Sequence, residues 1–203
     1  YNSKISDLLG VYYYTQINEN FSSGDAAIGV KVTSNFIDDI NKGLANKKEL
    51  EAIIYFAAEN AYFLNDIKSL QLFYNSCVNI KSNRGEFSSK AFLLLLERKY
   101  DEAIVLLNNG AENGAGFMMS KDVARFILPL AYHLKGDYQN MSKSIDRASK
   151  SLLVSDRTMS NYFGLRALYN KDYQKAIEFF TEAMKPVRFL SVSVERPGKY
   201  RFY

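Results

Sequence analysis

Four short stretches recur along this chain at a nearly constant interval, and that recurrence limits the fold more than any other feature. NDIKSLQLFYNSCVN (65–79), RKYDEAIVLLNNG (98–110), KGDYQNMSKSIDRASKS (135–151) and KDYQKAIEFFTEAMKP (171–186) each carry an anchor near their start. The anchors Ile67, Tyr100, Tyr138 and Tyr173 lie 33, 38 and 35 residues apart. Behind each one, apolar or small residues follow at spacings of three and four, as in Tyr173, Ala176, Ile177, Phe180 and Ala183. That spacing is one face of a helix. In front of the last stretch, SNYFGLRALYN (160–170) carries a second helical face and ends in a short polar turn. Two helices joined by about four residues pack antiparallel. Units of about 35 residues built this way form a repeat array.

The period and these residues resemble the tetratricopeptide repeat, a unit of two helices. Gly164 matches the small residue of the first helix, Tyr173 the aromatic at the turn, and Ala176, Phe180 and Ala183 the small-large-small ridge of the second. Pro186 falls near the usual terminating proline, and Leu128, Tyr132, Gly136, Tyr138 and Ala148 supply the third unit. The chain departs from the family in having no tryptophan, in placing Pro129 at the small position of the third unit, and in the stretch NNGAENGAGFMMSKD ahead of that unit. A proline inside the helix predicts a kink. Ser120 and Asp156 are expected as N-caps.

The expected fold is all-α: a superhelix, or solenoid, of antiparallel hairpins. Residues 1–49 form an N-terminal helical pair stacked on the array, with helices over 5–17 and 26–44 divided by the turn-rich NENFSSGD. The array fills 50–186, and 187–203 is an extended or hairpin tail. In that tail LSVSV alternates, Pro197-Gly198 signals a turn, and an exposed edge could pair with another copy of the chain.

Composition excludes several chemistries. One cysteine, Cys77, rules out an internal disulfide and a Cys-rich zinc site, and one histidine, His133, rules out a multi-histidine metal centre. Cys77 lies in an apolar helical stretch and is expected to pack as a small hydrophobe. The net charge of +4 is mild, with acids interleaved among bases, so no nucleic-acid contact is expected. The longest apolar run, AFLLLL (91–96), is far short of a membrane span. Tyr1 in place of a methionine suggests a processed or excised chain. The compartment stays open, with the cytoplasm slightly favoured over an exported or periplasmic location.

No catalytic constellation is specified. NNGAENGAG lacks the spacing of a phosphate loop and reads as an inter-helical loop. His133 has no nucleophile placed beside it, Glu59 has no second acid, and Asp38-Asp39 reads as a solvated face. Tyr12, Tyr13 and Tyr14 cannot all point inward, since neighbours on a helix are about 100° apart. The resemblance implies a ligand groove lined by the first helix of each unit. Here that groove comprises Tyr55, Glu59, Tyr62, Phe92, Arg125, Phe126, His133, Tyr162 and Arg166, with Ser88, Leu130 and Asn161 beside them. Its aromatic and aliphatic lining suits an apolar peptide or helix, with the arginines as anion contacts, and does not suit clamping of a peptide's terminal carboxylate. The expected function is therefore non-catalytic binding of a protein or peptide, as an adaptor or assembly factor without cofactor or metal. The alternative is a ligand- or peptide-sensing regulatory domain excised from a larger signalling or transcription regulator.

Overall fold

The computed structural model describes residues 3–113, 118–149 and 156–184. Every regular element among them is an α-helix, in the order α1 (Ser3–Ser23), α2 (Ala26–Asn41), α3 (Lys48–Phe63), α4 (Ile67–Asn79), α5 (Asn83–Leu96), α6 (Tyr100–Asn113), α7 (Met118–Lys135), α8 (Tyr138–Ala148), α9 (Asp156–Tyr169) and α10 (Tyr173–Met184). They divide into two compact units, Tyr1–Asp137 and Tyr138–Tyr203. This all-helical organisation, with sequence neighbours packed on one another, is compatible with a helical repeat.

The four anchors are the first residues of α4, α6, α8 and α10. Two residues before each stands a residue in the left-handed region: Asn65, Arg98, Gly136 and Lys171, with φ of 56, 59, 82 and 61°. Each of these turns carries the same pair of backbone hydrogen bonds. Asn65 N–H donates to Tyr62 O (2.9 Å) and Asp66 N–H to Ala61 O (2.8 Å); Lys171 and Asp172 donate likewise to Leu168 and Ala167. That pairing is the Schellman closure, which satisfies the last carbonyls of one helix while the chain reverses. The next residue then caps the following helix: Asp66 accepts from Ser69 N–H at 3.0 Å and Asp172 from Lys175 N–H at 3.3 Å.

The register continues into the core. Counting from each anchor, the third residue is Leu70, Ala103, Met141 or Ala176, and all four are buried. The tenth is Cys77, Gly110, Ala148 or Ala183, where side chains stay small. Gly110 shows why: a Cβ placed on it would lie 2.5 Å from the Phe87 ring of α5. Cys77 is fully enclosed, and burial pushes its thiol pKa up to about 12.

In the first unit, α1, α3, α5 and α7 pack side by side as one layer, while α2 contacts α4, α4 lies on α5 and α6 on α7. Phe36, Phe73 and Phe92 fill the space between, with Ile17, Leu50, Ile54 and Leu107 around them. Each such side chain contributes about 1.5–3 kcal/mol. In the second unit α8 and α10 pack on α9.

Several expectations change. α1 runs through most of NENFSSGD to Ser23, and the chain turns only at Gly24, φ 91°. Phe21 holds that last turn by lying against Gly29 of α2, so packing overrides a turn-rich composition. Residues 108–113 of the expected loop belong to α6, whose Gly110 faces the Phe87 ring. Ser120 lies inside α7 rather than ahead of it, while Asp156 is the first described residue of α9. Pro129 is buried within an α7 that runs unbroken on either side. One lost backbone bond is tolerated when the flanking Ile127, Leu128 and Ala131 are all packed in the core. The expected tail, 187–203, lies outside the described residues.

Candidate functional site

The expected groove residues fall on both units. Tyr162 and Arg166 belong to α9 in the second. Tyr162 is buried, while Arg166 is half-buried, with Nη1 2.6 Å from Asp146 Oδ1 and its guanidinium 5.1 Å over the Phe163 ring. A cavity of about 270 Å³ lies beside it, floored by Phe163 and Phe179 and edged by Lys175 and Asp172, which are themselves paired at 2.8 Å.

The other seven, Tyr55, Glu59, Tyr62, Phe92, Arg125, Phe126 and His133, lie on α3, α5 and α7 of the first unit. Four of them meet. The Tyr55 ring centroid is 6.1 Å from Phe92 and 6.3 Å from Phe126, and Tyr62 is 5.3 Å from Phe92. Offset aromatic pairs of this kind add about 0.5–1.5 kcal/mol each beyond the area they bury. They tie three neighbouring helices together, and Tyr55, Phe92 and Phe126 are all buried. The apolar strip is filled by its own rings.

Polar groups line the edge of this cluster. Tyr55 Oη donates to Glu59 Oε1 at 3.0 Å. Arg84, on the first turn of α5, donates from Nη1 to the Glu51 carbonyl at 3.0 Å, and burial holds its pKa below the usual arginine range despite nearby Glu51. Burial likewise raises the Tyr62 phenol and lowers His133. Arg125 and His133 are half-buried on α7.

What α3 presents outward are Phe56 and Phe63, 47% and 70% exposed. Each stacks edge-on against the inward tyrosine before it, at 5.3 Å in both pairs. The pairs Tyr55-Phe56 and Tyr62-Phe63 are seven residues apart, two helical turns, so they repeat the same division of one ring in and one ring out. Half-buried Glu59 and Asn60 lie between them. Phe56, Phe63 and Arg84 were not among the expected site residues. The doubled Tyr-Phe pair was the available signal for the first two, since adjacent rings on a helix cannot share a face; for Arg84, in the polar run SNRGE, there was none.

Elsewhere, Tyr13 stacks on Phe36 at 4.8 Å and donates to Asp39 Oδ2 at 2.7 Å, so Asp39 is not merely solvated; Tyr12 is exposed. Among the described residues no three or more His, Cys, Asp or Glu side chains are grouped as a metal site, and no helix is long and apolar enough to cross a membrane. Comparison with protein-family models, curated proteins and solved structures returns no match for this chain.

Proposed function

We propose that the chain is a non-catalytic binding module, a tetratricopeptide-like superhelical array that holds an apolar peptide or helix of a partner protein. The observation that carries this reading is the outward aromatic pair of α3, Phe56 and Phe63, fixed by the packed Tyr55 and Tyr62 behind it. A ring that is exposed yet backed by a rigid cluster loses little conformational entropy on binding, which is why aromatics anchor interfaces. Stacked helices offer broad faces rather than enclosed pockets, which supports binding over catalysis.

The test is capture of a partner from the native lysate by the intact chain and by a Phe56→Ser/Phe63→Ser variant. Both rings are exposed at their outer edges, so the variant should stay folded, with its melting temperature lowered only by loss of the two edge-on ring pairs. A partner retained by the first and lost by the second supports the reading. Equal capture by both moves the interface off α3.

A further inference from the structure

The cavity beside Arg166 lies wholly within the second unit, and the outward rings of α3 make no use of it. Phe163, Ala167 and Asn170 line it from one side, at the spacings of a helix face, and Asp172, Lys175 and Phe179 line it from the other. The Phe163 and Phe179 rings stand 5.4 Å apart, tilted by 47°, and form an apolar floor. Ala167 is the small residue of this face, and its short side chain leaves the space above the rings open. The volume of about 270 Å³ falls just under the range of about 300–1,000 Å³ usual for ligand pockets. It suits a single ring with a short substituent.

Around that floor, hydrogen-bond donors exceed acceptors. Arg166 directs Nη1 to Asp146 Oδ1 at 2.6 Å, and Asp146 itself stands outside the lining. That bond fixes the guanidinium and leaves its Nε and Nη2 edge, a two-donor fork that matches a carboxylate. Lys175 carries a further ammonium, and Asn170 an amide. Among the described residues Asp172 supplies the carboxylate of the lining, and α10 engages both its oxygens. Oδ1 accepts from Lys175 N–H at 3.3 Å, and Oδ2 lies 2.8 Å from Lys175 Nζ. The cavity thus offers cationic donors over an aromatic floor, and the group that complements them is an anionic acceptor carried on an apolar body.

We propose that this cavity binds an aromatic carboxylate, with the ring on Phe163 and Phe179 and the acid on Arg166 and Lys175. Titration of the full chain with phenylpropionate, followed through the backbone amide signals of α9 and α10, tests it. The neutral analogue phenylpropanol and the dipeptide Gly-Phe are run beside it. Phenylpropionate should bind at least about tenfold more tightly than the alcohol, and Arg166→Gln should abolish that preference while leaving the alcohol's affinity unchanged. Ala167→Leu fills the space above the rings and keeps both cations, so neither ligand should bind it. Gly-Phe binding more tightly than phenylpropionate assigns the carboxylate to the end of a peptide, and weaker binding assigns it to a free acid. The absence of saturable shifts with either acid overturns the proposal. So does equal affinity for acid and alcohol, or an Ala167→Leu protein that binds phenylpropionate as wild type does.

Discussion

Replacing Gly85 by alanine tests the packing where the neighbouring atoms have least room to move. Alanine is favoured over glycine by up to about 0.8–1 kcal/mol within a helix, and Gly85 lies on the first turn of α5, so propensity alone predicts a more stable protein. The structure predicts the opposite. A Cβ on Gly85 would collide with Cys77 Sγ and would lie 2.8 Å from Ser82 Oγ and 3.1 Å from Ile54 Cγ1. Cys77, Ser82 and Ile54 are all fully buried, so none can swing aside into solvent. Overpacking of this kind costs about 1–3 kcal/mol. Ser82 Oγ also accepts from Gly85 N–H at 3.2 Å as the cap of α5, and displacing it costs about 1 kcal/mol more. After the propensity gain, the net loss is about 1–3 kcal/mol. In urea unfolding followed by helical ellipticity, at a slope of about 2 kcal/mol per molar, the midpoint falls by about 1 M. Cys77→Ala in the same chain should recover at least about 1 kcal/mol as a coupling energy. Gly164→Ala is the contrast: the nearest atoms to its Cβ all belong to the half-buried Phe180 ring, which can rotate outward, so the change is near neutral. A Gly85→Ala protein as stable as wild type would refute the packing argument.

The turns allow the reverse experiment. Arg98→Gly and Lys171→Gly relieve side chains held at positive φ and should each raise stability by about 0.5–1 kcal/mol in urea titrations. Asp66→Ala removes the cap on Ser69 N–H and should cost about 1 kcal/mol by the same assay. Tyr13 has its pKa raised to about 12 by burial and by its hydrogen bond to Asp39. Its contribution to stability is therefore complete below pH 10 and disappears as pH rises through about 12; Tyr13→Phe should flatten that part of the stability profile.

The repeat was legible because its information is local and periodic. Each anchor is a helix start, and the two residues ahead of it make the left-handed turn and the cap, so Tyr100, Tyr138 and Tyr173 read out directly as the first residues of α6, α8 and α10. Gly164 and Cys77 followed from the same register. The helical course of 18–23 was not legible, because Ser and Asn there are turn formers and only the docking of Phe21 on Gly29 outweighs them. Nor was the inward or outward sense of α3, which is apolar almost all round. Tyr55 and Phe126 were expected to line the groove, whether open or filled was not legible, and their burial depends on rings from α3, α5 and α7 meeting across three helices, which no single helix pattern encodes.

The central claim is that the first unit binds through the outward rings of α3. Isothermal titration of the captured partner segment against wild type, Phe56→Ser/Phe63→Ser and Leu8→Ser/Tyr12→Ser separates it from other exposed apolar patches. Loss of two interface anchors at about 1.5 kcal/mol each predicts a Kd weakened by about 100-fold for the α3 variant and unchanged for the α1 variant. An unchanged Kd for the α3 variant, with the α1 variant weakened instead, would contradict the account.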